Sequence, residues 1–270
     1  MLKIKSYVKV NSIAEAYELN QKKSACVLGG MIWLKMGNRN VSTAIDLSGL
    51  GLDTVQELED EYVIGCMTTL RDLEMDESLN TFTQGAIRES LRHIVGVQFR
   101  NCATVGGSIW GRYGFSDVLS MFLAMDTWVD LYQAGRIPLA EFVKMKKDRD
   151  ILQSVIVKKT PLKTVYLSQR NTDTDFPVLT CAASLIGEQP RTIIGARPGC
   201  AMVVEDREDL LYGFTEMSQK EKTEAIRRFS EYAAANVPVG SNMRGSREYR
   251  RLLTEVLTRR AWEALGGIKE

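Results

Sequence analysis

The stretch Arg100-Asn101-Cys102-Ala103-Thr104-Val105-Gly106-Gly107-Ser108-Ile109, with Ser116-Asp117 a short distance behind it, decides how the chain is read. Adjacent glycines let backbone N–H groups approach an anion with no Cβ in the way, and Thr104 and Ser108 add hydroxyl donors on either side. That combination suits a phosphate. A second glycine pair lies upstream in Cys26-Val27-Leu28-Gly29-Gly30-Met31-Ile32-Trp33, between two apolar segments. One such pair is a turn. Two, each following apolar residues and each leading into a possible helix or strand, imply two loops closing on one extended diphosphate cofactor. Neither pair is a G-x-G-x-x-G fingerprint, and Gly49-Leu50-Gly51 lacks the third glycine, which argues against a Rossmann NAD domain.

A chain of 270 residues with 44% hydrophobic content can bury enough core for two or three units. Its 35 basic and 34 acidic residues leave a net charge of +1, which excludes nucleic-acid binding driven by bulk positive charge. No apolar run reaches the length of a membrane span, and Met1-Leu2-Lys3-Ile4-Lys5 lacks the apolar core of a signal peptide, so the expected location is the cytoplasm. The cysteines, Cys26, Cys66, Cys102, Cys181 and Cys200, are widely spaced with no C-x-x-C pair; they are expected to be reduced and to hold neither a cluster nor zinc. His93 is the only histidine, which removes most Ser-His-Asp, Cys-His and two-histidine metal arrangements. No catalytic side chain and no metal ligand is therefore assigned, and the chemistry is expected to sit in a bound cofactor.

Working outward, Ser12-Ile13-Ala14-Glu15 has the form of a capping box and opens a helix to about Gln21. Ala25 to Leu28 reads as a buried strand, Gly29-Gly30 as its turn, Met31 to Met36 as a short helix and Thr43 to Leu47 as the next strand. Beyond Gly49-Leu50-Gly51, a second unit begins with the alternation around Tyr62 to Met67, with helices expected over Thr68 to Leu73 and Gln84 to Ile94. Ser116 or Asp117 caps the apolar stretch Val118 to Met125, Thr127 to Tyr132 is a strand, and Gln133 to Arg136 is a hairpin link. A strand over Ile151 to Lys159 leads to a boundary at Thr160-Pro161. Runs at Thr164 to Leu167, Val178 to Ile186, Thr192 to Ala196 and Ala201 to Glu205 then form an antiparallel sheet, and helices from Ser218 to Ala235 and after Ser246 close the chain. The fold class is α+β.

These residues resemble a known family. The x-G-G-x-x-x-L pattern near residue 30, R-N-x-A-T-x-G-G-x-I with Ser-Asp following, Arg170 with Asp175, and Arg244-Gly245-Ser246-Arg247-Glu248-Tyr249-Arg250-Arg251 are similar to the FAD-binding subunit of the molybdenum hydroxylases, the xanthine dehydrogenase and carbon monoxide dehydrogenase family. The resemblance implies a two-subdomain FAD-binding fold of the vanillyl-alcohol-oxidase (PCMH) type over residues 1–160, with subdomains of about 1–52 and 53–160. It also implies a C-terminal antiparallel sheet with helices over residues 161–270, of the CO dehydrogenase flavoprotein type. Carried over by position, Cys26, Val27, Leu28, Gly29, Gly30, Met31, Ile32 and Trp33, together with Ala103, Thr104, Gly106, Gly107 and Ser108, would wrap the FAD diphosphate and adjoining groups. Ile94 and Leu152 would be apolar cofactor contacts and Asp117 a polar one.

Three features depart from the family pattern. Met31 stands where a hydroxyl residue is frequent, Leu167-Ser168-Gln169 supplies no lysine ahead of Arg170, and Gly111-Arg112-Tyr113-Gly114-Phe115 replaces a small, proline-containing link. For single side chains the plain expectations are a helix cap as well as a contact for Asp117, a structural role for His93, a small buried residue at Cys102, and core packing for Trp33 with flavin stacking left open. Arg247, Arg250, Arg251, Arg259 and Arg260 read as a solvated helix face.

The function implied is an electron-transfer subunit that takes electrons from iron–sulfur clusters on a partner and passes them through FAD to an acceptor such as NAD+, with hydroxylation on a separate molybdopterin subunit. The alternatives are a stand-alone FAD-dependent oxidoreductase and an interaction subunit that has lost FAD.

Overall fold

In a computed structural model that describes residues 1–268, the chain runs β1 (Lys3–Lys9), α1 (Ile13–Asn20), β2 (Ala25–Leu28), β3 (Asn40–Asp46), β4 (Val55–Glu57) and β5 (Glu61–Gly65). A helical stretch follows: α2 (Leu70–Met75), α3 (Glu77–Phe82), α4 (Ala86–Arg92), α5 (Val97–Arg100), α6 (Val105–Gly111) and α7 (Asp117–Leu123). Then come β6 (Thr127–Leu131), β7 (Gly135–Pro138), α8 (Leu139–Phe142), β8 (Leu152–Lys158), β9 (Leu162–Arg170), β10 (Pro177–Ile186), β11 (Gln189–Gly195), β12 (Met202–Val203), α9 (Gln219–Asn236) and α10 (Arg247–Gly266). The architecture is α+β, with three sheets in chain order.

Contacts divide the chain into two compact units. The first takes Met1–Leu73, Gly96–Gly111 and Thr127–Lys158; the second takes Glu74–Val95, Arg112–Asp126 and everything from Lys159 on. The expected division near residue 160 follows the order of the sheets, whereas packing gathers α3, α4 and α7 with the last sheet.

In the first unit, β3 is central in a three-stranded sheet of order β1-β3-β2 with both pairings parallel. Ser12 caps α1, accepting the Glu15 N–H, and the Glu15 carboxylate reaches back to the Asn11 N–H, one residue earlier than a regular capping box. The edge strand β1 was not expected. It is exposed along almost its whole length, so it lacks the buried face by which strands are read from sequence. The short helix expected over Met31 to Met36 is instead a series of turns. Met31 has φ +58°, outside the right-handed helical region, and the segment is held by turn bonds from the Lys35 N–H to the Met31 carbonyl at 2.9 Å and from the Gly37 N–H to the Leu34 carbonyl at 3.1 Å. The other sheet, β4-β5-β8-β6-β7, is antiparallel, its β6–β7 hairpin turning at Gly135 with φ +71°.

In the second unit, β12-β11-β10-β9 form the expected antiparallel sheet. Nine of the ten residues of β10 are buried because α10 packs on the strand and α7 packs on it as well. Such a strand reads as a continuous apolar run rather than an alternation. Ser218 and Glu221 close a full capping box on α9; Ser246 caps α10, which ends at Gly267 with φ +65°. Trp262 is fully buried and donates its indole N–H to Thr192 Oγ1 at 2.9 Å.

The solvated arginine face is corrected at Arg250. This side chain is 0% exposed and donates to the Val178, Gly240 and Gly245 carbonyls and to Asn242 Oδ1, so the R-G-S-x-x-Y-R-R signature is in part a buried staple. Charge alone could not distinguish it from its exposed neighbours.

Candidate cofactor site

The two glycine pairs meet inside the first unit. A Cβ built on Gly30 would fall 1.7 Å from the Cys102 carbonyl oxygen, and one on Gly29 would fall 2.8 Å from Thr104 Oγ1. Gly30 is therefore glycine so that the chain after β2 can touch the Cys102–Ala103 backbone directly, and Gly29 so that it can lie against the Thr104 side chain.

Each pair then serves differently. Gly106 and Gly107 lie in the first turn of α6 rather than in an open loop. The N–H groups at this helix start are already taken: Val105 by the Thr68 carbonyl, Gly106 by the Cys66 carbonyl, Gly107 by Thr104 Oγ1 and Ser108 by the Thr104 carbonyl, at 2.9 to 3.1 Å. Gly106 is small because α6 sits on the chain just after β5; a Cβ there would lie 2.5 Å from Cys66 O. Gly107, by contrast, is exposed.

Gly29, Gly30, Met31 and Ile32 present the opposite case. Among the described residues no acceptor takes their four consecutive backbone N–H groups. A run of unclaimed donors, with two glycines and a left-handed Met31, has the chemistry to cradle an anionic group. The Met31 side chain in place of a hydroxyl costs this cradle little, since the donors are backbone. Trp33 follows at 37% exposure, so the core-packing expectation fails there; Cys102 is likewise exposed, not buried. Cys26 and Val27 are half-buried in β2 and Leu28 is buried; Ala103 and Thr104 are buried and Ser108 is half-buried. Leu152 is buried at the start of β8, next to Gln153 and Ser154 of a cavity of about 270 Å³ that Leu52, Gln56 and Asp130 also line.

Ile94 and Asp117 belong to the second unit. Ile94 is half-buried just after α4. Ser116, not Asp117, caps α7, its Oγ accepting the Leu119 N–H at 3.1 Å. The Asp117 carboxylate is 4% exposed and receives both the Arg170 guanidinium and the Tyr166 hydroxyl. Burial pushes the Asp117 carboxyl up and Arg170 and Tyr166 pull against it; burial and the Asp117 charge push the Tyr166 hydroxyl well up, which keeps it a donor. Arg170 also donates to the Asp175 carbonyl at 2.6 Å, and the Asp175 carboxylate takes Arg244 at 3.1 Å, with Arg244 over the Phe176 ring. The R-x-x-x-x-D element and the C-terminal signature thus belong to one network. Tyr166 gave no sequence signal, because its partner is 49 residues away. His93 lies 2.6 Å from the Asp173 carboxylate and 3.6 Å from that of Glu89.

Residues 2–161 match the family described as the FAD binding domain in molybdopterin dehydrogenase, and residues 164–265 match the CO dehydrogenase flavoprotein C-terminal domain. The uncharacterized protein YgfM of Escherichia coli strain K12 is 24% identical over 272 residues, covering 94% of this chain and 93% of its own length. The fold is shared with a chain of carbon monoxide dehydrogenase from Hydrogenophaga pseudoflava (TM-score 0.83, 20% identity, 98% of each chain). It is shared also with reconstituted CO dehydrogenase from Oligotropha carboxidovorans (TM-score 0.84, 21% identity, 99% of each chain) and with quinoline 2-oxidoreductase from Pseudomonas putida 86 (TM-score 0.81, 19% identity, 97% of each chain). No helix among the described residues is long and apolar enough to cross a membrane. With the glycine cradle and both family matches together spanning nearly the whole chain, the protein belongs to the FAD-binding flavoprotein subunits of the molybdenum hydroxylase family of oxidoreductases.

Proposed function

We propose that this chain takes electrons from iron–sulfur clusters on a partner subunit and delivers them, by way of its FAD, to an acceptor such as NAD+, while substrate is hydroxylated on a molybdopterin subunit. The observation that carries the cofactor half of this reading is the run of unclaimed N–H groups from Gly29 to Ile32, backed by Thr104 and Gly107. Bound flavin supplies the exchange between one-electron and two-electron chemistry. The chain's own part is to hold and orient. Gly29 to Ile32 offer donors to the diphosphate, exposed Gly107 leaves room beside them, and Asp117, Ile94 and Leu152 are the proposed further contacts. Burial pushes the Cys66 and Cys181 thiols up to about 12, so both stay protonated at neutral pH.

The test is to purify the chain with whatever assembles on it, measure released FAD per chain, and titrate the bound flavin anaerobically with NADH at 450 nm. A colourless protein that cannot be loaded with FAD sinks the cofactor half. A flavoprotein that assembles with no iron–sulfur subunit sinks the partner half, and a flavin inert to NADH removes NAD+ as the acceptor.

A further inference from the structure

The segment Pro238-Val239-Gly240, between α9 and α10, collects arginines. Arg197 Nη1 donates to the Pro238 carbonyl at 2.9 Å, Arg247 Nε to the Val239 carbonyl at 3.1 Å, and Arg250 Nη1 to the Gly240 carbonyl at 2.8 Å. Three guanidiniums attend three consecutive carbonyls, and among the described residues none of the three has a carboxylate within 4.0 Å. Of the nearby acids, Asp175 is occupied by Arg244, and exposed Glu248 feels the charge of Arg247 from beyond ion-pair distance. Carbonyl oxygens satisfy N–H donors but leave the formal charge uncompensated, a costly state for the less exposed Arg197 and Arg250. Burial accordingly pulls both Arg197 and Arg250 below the ordinary arginine value.

The donors are unevenly used. Arg250 spends its guanidinium on four acceptors and is 0% exposed. Arg197 spends Nε on the Cys200 carbonyl and Nη1 on Pro238, leaving Nη2. Arg247, which is exposed, spends Nε and leaves both Nη atoms. Ser241 Oγ accepts the Arg247 backbone N–H at 2.9 Å and retains its own hydroxyl proton to donate. Side chains pack closely on the glycines here: a Cβ on Gly240 would lie 3.0 Å from Pro198 Cδ, and one on Gly199 would lie 3.0 Å from Arg197 Cζ.

We propose that Arg197 and Arg247 form an anion site on the Pro238–Gly240 segment that takes a phosphate group, with buried Arg250 adding positive field. Guanidinium forks match the oxygens of a phosphate in a way that a single ammonium does not. The phosphate has two possible sources, a nucleotide or free inorganic phosphate, which share this chemistry.

The experiment is calorimetric titration of the full-length, flavin-loaded chain with inorganic phosphate, pyrophosphate and ADP at constant ionic strength set by chloride, with flavin absorbance followed to show that FAD stays bound. The expected result is saturable binding that chloride does not reproduce, weakened at least about tenfold in Arg247→Gln and again in Arg197→Gln. Arg247→Lys, which keeps charge but loses the fork, falls between. ADP binding tighter than pyrophosphate assigns a nucleotide; equal affinities assign free phosphate. If Arg197→Gln does not fold, because its two carbonyl staples are lost, exposed Arg247 decides. Heat no greater than the chloride control, or unchanged affinity in folded Arg247→Gln, overturns the site.

Discussion

The most decisive perturbation is Gly30→Ala. Gly30 does not have a positive φ, so its reason for being glycine is space alone. An added Cβ meets the Cys102 carbonyl oxygen at 1.7 Å, its carbonyl carbon at 2.5 Å and Ala103 Cα at 3.0 Å, all of them backbone. Relief to ordinary contact requires one backbone to move by more than about 1 Å, and no side-chain rotation can provide it. Overpacking of this kind costs about 1–3 kcal/mol, and an obstacle made of backbone places the variant near the upper end. About 3 kcal/mol corresponds to a fall in Tm of roughly 6–12 °C in a protein of this size class. The same displacement moves the Gly29–Ile32 donors, so bound flavin should fall as well. The assay is FAD absorbance per chain together with thermal unfolding, with Gly51→Ala as control. Gly51 has φ +67° and open space around its Cβ position, so it should lose about 1–2 kcal/mol and no flavin. Gly30→Ala with wild-type flavin content and wild-type Tm would refute the contact between Gly30 and the Cys102–Ala103 backbone.

Three further outcomes are expected. Gly106→Ala should lower the Tm of flavin-free protein as much as that of loaded protein, because its Cβ strikes Cys66 O at 2.5 Å; an effect confined to flavin content would assign Gly106 to the cofactor instead. Arg170→Met should cost about 3–5 kcal/mol at neutral pH by leaving the buried Asp117 carboxylate unpaired. The folded-state pKa of Asp117 then lies above its unfolded value, so the loss should shrink as pH falls through that raised value, and unfolding curves with the same deficit at acid and neutral pH would contradict the pairing. Glu61 is the mirror case. Hydrogen bonds from Lys158 first and Arg136 second hold its carboxyl below the usual range, so its contribution, about 1 kcal/mol after solvent screening, is present above the ordinary carboxylate pKa and lost as pH falls through the lowered one. The Tm gap between wild type and Glu61→Gln should therefore close on acidification.

Much of the fold was legible because its signals are local. Ser12, Ser218 and Ser246 cap helices within three residues of themselves, Gly135 and Gly267 adopt positive φ where a turn or a helix end requires it, and β9 to β11 follow one another as hairpin-connected strands. What escaped was exposed or long-range. β1 has almost no buried residue to set a period, and the burial of Arg250 depends on carbonyls of a loop and of β10 that no spacing rule links to it. The second glycine pair reads as a loop, yet it lies in the first turn of α6, where the chain after β5 demands the smallness of Gly106.

Two glycine pairs suited to close backbone approach, one histidine, scattered cysteines and three successive strand groups are all legible in the chain's composition and local pattern. Which donors are free is a matter of how the chain packs. At Val105 to Ser108 the N–H groups are consumed by Thr68, Cys66 and Thr104, while from Gly29 to Ile32 they are not. Whether a backbone donor is available depends on every acceptor the folded chain brings to it, and that inventory is set by contacts between segments far apart in sequence.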